Sequence, residues 1–216
     1  DAFDKFMDSN ELVNFAYGAT NDDDLVRRFL ETRSFPREVT VRLGEFLELA
    51  SGPLAVRSSS LLEDSQYQPF AGVYQTYMLP NSHPALKVRL KELIECIKKV
   101  YASTFFKCAK DYIRATEYRL EEEKMAVVIQ RLVGTQRENR YYPDFSGVAK
   151  SYNFYAVSPQ KPTDGIALVA LGLGKMVVDG GNAVRFCPAY PQHLVQFSSA
   201  QETMQNAQQD FFALNL

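Results

Sequence analysis

The spacing of apolar residues changes once along this chain, and that change limits the folds open to it. In the first half apolar residues recur every three or four positions, as one face of an α-helix requires. In the second half they form short continuous or alternating runs, as β-strands require. Helices followed by strands favour an α+β fold with a mixed or antiparallel sheet over a doubly wound parallel fold.

The first half is predicted to be mostly helical. Residues 2–18, 22–35 and 36–50 are three amphipathic stretches, and the last one stops at the helix-ending sequence Ser51-Gly52-Pro53. A longer helix is predicted from an N-cap at Ser82 to about Tyr118. Its apolar face consists of Leu86, Leu90, Leu93, Ile94, Ile97, Tyr101 and Phe105.

The second half is predicted to hold most of the strands. Residues 125–133 form a continuous apolar run, which fits a strand buried on both faces. Turn residues separate the later runs, and Asp179-Gly180-Gly181-Asn182 is a typical hairpin signal. The remaining predictions are a polar loop at 134–145, strands at 146–157 and 164–175, a hairpin at 176–187, a strand at 191–199 and a helix at 200–214.

Composition excludes several functional classes. The formal net charge of −2 shows no basic excess of the kind that binds nucleic acid. No window approaches the roughly 18–20 apolar residues of a membrane span. The cysteines Cys96, Cys108 and Cys187 lack metal-type spacing, and they fit a reduced, cytoplasmic compartment. Since the chain starts without Met and ends on apolar FFALNL, we expect a fragment of a longer protein.

Common catalytic motifs are incomplete. His83 and His193 each stand near a proline without a triad partner, and Ser58-Ser59-Ser60 lacks the G-x-S-x-G elbow of serine hydrolases. Gly172-Leu173-Gly174-Lys175 is followed by Met176, whereas a Walker A loop requires Ser or Thr there. A glycine turn that permits close backbone approach remains the simplest interpretation of that sequence.

Arg57 is predicted to lie at the end of a buried strand, directly before the hydroxyl groups of three consecutive serines. A planar guanidinium suits phosphate oxygens, and the hydroxyl and backbone N–H groups of Ser58 and Ser59 would complete an anion site. The alternative is a structural salt bridge from Arg57 to Glu63 or Asp64. The residues by themselves leave both interpretations open.

Four motifs occur in order between about residues 50 and 190. They are AVRSSSLLEDSQYQPFAG, MAVVIQRLV, FSGVAKSYN and ALVALGLGKMVVDGGNAVRFCP. Together they resemble the nucleotide-binding region of the phosphoenolpyruvate synthase and pyruvate phosphate dikinase family. In the order given, they are similar to that family's V-R-S-S-A strand closing on F-A-G, its hinge strand, its S-G-V-x-F-T segment, and its stretch running through G-L-G-E and V-x-G to R-x-P.

The resemblance implies an ATP-grasp-like fold. A helical segment, residues 1–50, would precede a first lobe at 51–124 with a strand, motif loop and long helix. A second lobe at 125–216 would hold mainly strands and a C-terminal helix. Arg57 and Arg185, one from each lobe, would hold the phosphates and would be the catalytic residues. The full set of nucleotide-binding residues that the resemblance implies is Arg57, Ser58, Ser59, Gln130, Leu132, Gly172, Gly174, Lys175 and Arg185.

The function implied is that of an ATP-binding domain in a dikinase-type phosphotransferase. It would hold ATP for phosphoryl transfer to a histidine on a phosphohistidine-type domain of the same full-length chain. The family usually carries a carboxylate that helps hold Mg²⁺ near the glycines. Here Ala170 and Lys175 occupy those places, and Asp179 is the nearby acid that could stand in, so no residue is assigned to the metal. Two alternatives remain: a degenerate nucleotide sensor without catalysis, and a structural interaction module.

Overall fold

A computed structural model describes residues 1–60, 63, 72–116 and 118–216 of the chain. Asp64 and most of the loop that closes on Phe70-Ala71-Gly72 lie outside the described residues. The chain divides into two compact units, 1–132 and 133–216. The predicted lobe boundaries after residues 50 and 124 stay a prediction. Within the described residues, every helix is too short or too polar to span a membrane.

Unit 1 (residues 1–132) packs six helices against a three-stranded antiparallel sheet with strand order β2-β1-β3. The predicted α+β class is confirmed. In chain order the elements are α1 (Ala2–Ser9), α2 (Val13–Gly18), α3 (Asp22–Leu30), α4 (Arg37–Leu49), β1 (Leu54–Ser60), β2 (Thr76–Leu79), α5 (Leu86–Ser103), α6 (Lys107–Arg114) and β3 (Met125–Arg131), with a short 3₁₀ helix at Leu120–Glu122.

Local signals explain where α3 begins and why the first helical stretch is divided. The Asn21 side chain accepts hydrogen bonds from the first turn of α3, which is also rich in aspartate, as a helix N-terminus favours. The stretch 2–18 is two helices, because Glu11 has a φ of 52° that no helix can contain. The predicted start of the long helix at Ser82 is wrong: the cap is Ala85, and the helix breaks after Ser103 before α6 begins.

Two buried lysines fasten the N-terminal helices to α5 and α6. Lys110 Nζ donates to the carbonyl oxygens of Ala16 (2.7 Å) and Ala19 (2.6 Å) at the end of α2. Lys98 Nζ donates to the carbonyl of Thr32 just after α3, at 2.8 Å. Burial lowers the pKa of both ammonium groups. Both lysines satisfy carbonyls that a helix end leaves without partners.

Unit 2 (residues 133–216) contains two three-stranded antiparallel sheets, with strand orders β4-β5-β9 and β6-β7-β8. Its strands are short, and its helices span only one or two turns. The elements are β4 (Thr135–Arg137), β5 (Arg140–Tyr142), β6 (Phe145–Lys150), β7 (Ile166–Leu171), α7 (Lys175–Val178), β8 (Val184–Phe186), α8 (Ala200–Asn206) and β9 (Leu214–Asn215), with 3₁₀ turns at Pro162–Asp164 and Val195–Phe197.

Several predictions for residues 134–216 are wrong, and the helix predicted at 200–214 ends at Asn206. The polar loop at 134–145 contains the hairpin of β4 and β5, which turns at Glu138 with a φ of 55°. In the hairpin predicted at 176–187, the first run belongs to the helical turn α7 and only the second is a strand. The strand predicted at 191–199 is a 3₁₀ turn. The apolar runs in these stretches are too short for their spacing to distinguish a strand from a turn or a short helix.

Candidate functional site

The central strand β1 has one buried face and one open face. Leu54, Val56, Ser58 and Ser60 are buried toward the helices, whereas the Arg57 side chain between them is exposed. Alternation of side chains across a strand produces this division. Arg57 thus lies in the middle of an exposed sheet face. The expectation that it ends a strand is wrong, since β1 continues to Ser60.

The register of the sheet shows which residues share that open face with Arg57. Arg57 pairs with Val128 of β3 on one side and Thr76 of β2 on the other. Gln130 pairs with Ala55 and is exposed, so it lies diagonal to Arg57 on the same face. We define the open face as Arg57, Ser59, Thr76, Met78, Ala126, Val128 and Gln130; Ala55 shares this face of the sheet but is buried.

Glu63 belongs to the opposite, buried side of β1. Its carboxylate accepts a hydrogen bond from Ser58 Oγ at 2.8 Å and another from the backbone N–H of Ser60 at 2.9 Å. The predicted alternative of an Arg57–Glu63 salt bridge is therefore wrong. The Ser58 hydroxyl is 5% exposed and faces away from the Arg57 side chain. Arg57 forms no ion pair with any residue in the described ranges.

A second buried carboxyl group lies near this serine cluster. Glu123 is 4% exposed, and the Ser60 hydroxyl and the Tyr74 phenol lie near its carboxyl group. Burial raises the pKa of the Glu123 carboxyl, and the negative charge of Glu63 adds to that shift, whereas hydrogen bonding to Ser60 and Tyr74 opposes it. The core side of β1 thus holds two carboxyl groups, while the open face holds the cation.

Strand β3 is not buried on both faces, contrary to prediction. Its burial declines from Met125, which is 2% exposed, to Gln130 and Arg131, which are both exposed. Leu132 follows directly, is half-buried, and donates its backbone N–H to the Pro53 carbonyl at 2.9 Å. Gln130 and Leu132 therefore lie at the end of β3 beside the start of β1.

The glycine turn after β7 is covered by the C-terminal segment. Gly172 has a φ of 76°, and a Cβ atom there would lie 2.7 Å from the Phe212 carbonyl oxygen and 2.7 Å from Phe211 Cδ2. Leu173 donates its N–H to that same carbonyl at 2.8 Å. This is the close backbone approach that only glycine allows. Within unit 2 the space above Gly172 is therefore filled by protein.

Gly174 and Lys175 leave that turn in a more open setting. A Cβ atom on Gly174 would meet only the Ser146 side chain, at 3.6 Å or more. Lys175 is exposed, and its ammonium nitrogen lies 5.1 Å from the Phe212 ring centroid, a cation–π distance. The structure brings Gly172, Gly174 and Lys175 together in unit 2, and Arg57, Ser59, Gln130 and Leu132 together in unit 1.

Arg185 lies on β8, opposite Leu168 of β7. Its side chain is exposed and lines a cavity of about 410 Å³ within unit 2. Arg57 and Arg185 belong to different units, so each was placed by its own sheet. The predicted pairing of the two arginines around one nucleotide stays a prediction.

Comparison with known proteins identifies the family. Residues 1–209 match the family described as pyruvate phosphate dikinase, AMP/ATP-binding domain. The chain belongs to this family. A probable phosphoenolpyruvate synthase from Archaeoglobus fulgidus is 32% identical over 127 residues, covering 59% of this chain and 14% of that protein. The uncharacterized phosphotransferase YvkC from Bacillus subtilis is 26% identical over 192 residues, covering 83% of this chain and 19% of that protein.

Membership in the AMP/ATP-binding domain family confirms the resemblance and the ATP-grasp-like fold predicted from the sequence motifs. The chain spans less than a fifth of the length of these two relatives. No group of three or more His, Cys, Asp and Glu side chains suited to a metal occurs in the described parts of this AMP/ATP-binding domain. Ala170 is 3% exposed, and Asp179 is exposed at the end of α7, so the present donors do not fit Mg²⁺.

Sequence reasoning missed part of the open face. Thr76, Met78, Ala126 and Val128 flank Arg57 on the neighbouring strands. Thr76 and Met78 lie in no motif, and the motif MAVVIQRLV contains Ala126 and Val128 without singling them out. Their signal is register: β1 and β3 pair over seven residues, so alternation assigns every side chain to a face once one pair is known. The sequence by itself does not supply that first pair.

Proposed function

We propose that the open face of unit 1 holds ATP, with Arg57 contacting the phosphates. The observation that carries this proposal is an exposed arginine in the middle of a central strand, without an ion-pair partner in the described chain. Its planar fork can donate two parallel hydrogen bonds to phosphate oxygens. Membership in an AMP/ATP-binding family supplies the ligand class.

In this proposal the adenine lies beside Gln130 and Leu132 at the end of β3. Arg57 of β1 lies opposite Val128 of β3, and Leu132 is four residues beyond Val128 along the chain. At about 3.3 Å per residue this separates them by about 13 Å, a span that an extended ATP molecule can bridge. Apolar and polar side chains then alternate along the bound nucleotide, and Ser59 would add a hydroxyl near the phosphates.

Within unit 2, Gly174 and Lys175 stay predicted nucleotide-binding residues. Gly174 leaves space for a ligand, and the exposed Lys175 ammonium would neutralise phosphate charge. Gly172 forms the turn that positions Gly174 and Lys175. A ligand cannot approach Gly172 itself, because Phe211 and Phe212 fill the space above it.

We further propose that ATP held in this way donates a phosphoryl group to a histidine on another domain of the full-length chain. ATP supplies the transferable group, and Arg57 would orient it and offset its negative charge. The family and the phosphotransferase relative support this reaction class. One observation favours a second candidate, a nucleotide sensor without catalysis: Ala170 and Lys175 provide no carboxylate for Mg²⁺.

The binding proposal is tested by calorimetric titration of the 216-residue chain with ATP, with and without Mg²⁺. Arg57→Ala should weaken ATP binding at least about tenfold, because a charge-assisted hydrogen bond contributes about 1.5–3 kcal/mol. Arg28→Ala is the matched control, since Arg28 is an exposed arginine on α3. Wild-type affinity for ATP in Arg57→Ala would contradict the assignment of Arg57.

The catalytic proposal requires the full-length protein. Radiolabelled ATP should produce acid-labile phosphohistidine in the wild type, and Arg57→Ala should abolish the label while Arg28→Ala retains it. ATP binding without any phosphohistidine would reject transfer and favour the sensor. Absence of ATP binding at about millimolar concentration would reject both candidates.

A further inference from the structure

Unit 2 contains a cavity that none of the open-face residues lines. Its volume is about 410 Å³, within the range of about 300–1,000 Å³ typical of small-molecule sites. Among the described residues that line it, the charged or titratable side chains are Arg185, His193, Tyr155 and Cys187, and no Asp, Glu or Lys is present. We propose that this cavity binds a small phosphorylated sugar, with the phosphate on Arg185.

The backbone around Arg185 is held firmly at the outer edge of β8. The Gln196 side-chain amide spans this edge: Arg185 donates its N–H to Gln196 Oε1 at 2.7 Å, and Gln196 Nε2 donates to the Ala183 carbonyl at 3.1 Å. One side chain thereby replaces a neighbouring strand. The base of the Arg185 side chain is fixed, which reduces the entropy lost when its guanidinium binds a ligand.

The guanidinium of Arg185 is not neutralised within the described chain. It forms no hydrogen bond or ion pair with residues 1–60, 63, 72–116 or 118–216. An uncompensated guanidinium in a concave site attracts an anion, and its five donors match the oxygens of a phosphate better than any neutral group. In the proposed complex, the phosphate group of the ligand therefore binds the Arg185 guanidinium.

Two asparagines supply hydrogen-bond acceptors, which require donor groups on the ligand. Asn182 Nδ2 donates to the carbonyls of Gln205 and Ala207, each at 3.2 Å, and Asn206 Nδ2 donates to the Gln196 carbonyl at 2.9 Å. With both NH₂ groups engaged in this way, the Oδ1 atoms are fixed as the acceptors, and neither accepts a hydrogen bond from a described residue. Acceptors of this kind select ligand hydroxyl groups, which donate.

Apolar side chains complete the lining. Ile166, Phe186 and Val195 offer carbon surface of the kind on which the C–H face of a sugar packs. Inorganic phosphate would occupy a small part of this volume and would leave the asparagine oxygens without donors. A sugar carrying one phosphate uses the cation, the acceptors and the apolar surface together.

The test titrates the 216-residue chain with ribose 5-phosphate, inorganic phosphate and ribose, followed by calorimetry and by NMR of the side-chain amides. Ribose 5-phosphate should bind at least about tenfold more tightly than either fragment, and the amide signals of Asn182 and Asn206 should shift. Arg185→Gln should weaken ribose 5-phosphate binding at least about tenfold, since a charge-assisted contact is lost.

Two further variants keep the test decisive. Arg57→Ala, whose side chain does not line this cavity, should bind ribose 5-phosphate normally. Val195→Trp, at an exposed position on the lining, should block ribose 5-phosphate by filling the cavity and should retain ATP binding, even if Arg185→Gln does not fold.

Several results would overturn the inference. They are absence of ribose 5-phosphate binding up to about 10 mM, equal affinity for inorganic phosphate, or wild-type affinity for ribose 5-phosphate in Val195→Trp. Loss of ATP binding in Arg185→Gln would instead place Arg185 at the nucleotide. Failure of the ATP proposal in Arg57→Ala leaves each of these outcomes unchanged.

Discussion

The two units bury their apolar residues to very different extents. The members of the described core cluster all lie in residues 1–132, and Phe6 and Phe29 at its centre are completely buried. Unit 2 leaves large apolar side chains exposed, including Phe154 at 82% and Tyr155 at 88%. Amphipathic helices can close around one sheet face, whereas the short strands of unit 2 cover little of each other.

This difference suggests where each unit obtains its stability. Unit 1 is stabilised mainly by apolar burial, which contributes about 25 cal/mol per Å². Unit 2 relies more on backbone pairing and on polar side chains that replace strands, as the Gln208 amide does when it pairs with both backbone groups of Leu171 (2.7 and 3.0 Å). The proposed ATP face therefore lies on a unit with a large apolar core, and the proposed sugar phosphate site lies on a unit with less apolar burial.

The largest expected effect is the difference in the free energy of unfolding between a core substitution in unit 1 and a surface substitution in unit 2. Phe29→Ala should lower the free energy of unfolding by about 3–5 kcal/mol, because it removes a fully buried aromatic ring from unit 1. Phe154→Ala in unit 2 removes an exposed ring and should change that free energy by no more than about 0.5 kcal/mol. Urea unfolding measures both. A large loss in Phe154→Ala would show that unit 2 buries more apolar surface than the structure describes.

A second substitution tests whether close backbone approach stabilises unit 2. Gly172→Ala combines a positive φ with contacts of 2.7 Å to Phe211 and Phe212, and it should destabilise unit 2 by about 2–4 kcal/mol. Amide hydrogen exchange within residues 133–216 reports this loss locally.

Gly180→Ala is the control for that substitution. Gly180 has a similar φ of 85° but no atom within 4 Å of the added Cβ, so only backbone strain of about 1 kcal/mol is expected. Equal effects of Gly172→Ala and Gly180→Ala would show that the contact with the C-terminal segment adds nothing.

The smallest expected effect concerns the buried carboxyl group of unit 1. Since burial raises the folded-state pKa of Glu123, its contribution to stability is complete below the unfolded-state pKa and is lost as pH rises through the folded value. Glu123→Gln removes this dependence and should be more stable than wild type at neutral pH by about 1–2 kcal/mol. Thermal unfolding between about pH 4 and pH 8 measures the difference.

Glu122→Gln controls for the loss of a carboxylate at an exposed neighbouring position. It should leave the pH dependence of unfolding as in wild type. If Glu123→Gln and wild type lose stability in parallel as pH rises, the Glu123 carboxyl is ionised in the folded protein and the proposed cause is wrong.

Helical elements were predictable because each depends on signals within a few residues. The apolar spacing of residues 86–105 and of residues 22–35 identified α5 and α3 with little help from the rest of the chain. The short strands of unit 2 were predicted less well. Three-residue strands such as β4 and β5 are selected by their partners, and β9, which pairs with β5, lies more than 70 residues away.

The candidate site likewise has a part that the sequence predicts and a part that depends on packing. The V-R-S-S and glycine-turn motifs were visible in sequence, since such motifs depend on residue type and order. Their surroundings were not visible: Glu63 accepts hydrogen bonds from Ser58 and Ser60 instead of pairing with Arg57, and Phe211 and Phe212 fill the approach to Gly172. Both outcomes depend on side chains that only the packed chain brings into contact.

The sequence by itself therefore determined the family and the α+β class, because local spacing and residue chemistry are properties of short segments. The anion-binding residues that it indicated stay predictions. The tertiary structure decided which face each of those residues occupies. Strand register turned Arg57 outward and Ser58 inward, and the edge of β8 left Arg185 lining a cavity of its own unit. A shift of one residue in pairing would reverse every such assignment, and register follows from long-range packing.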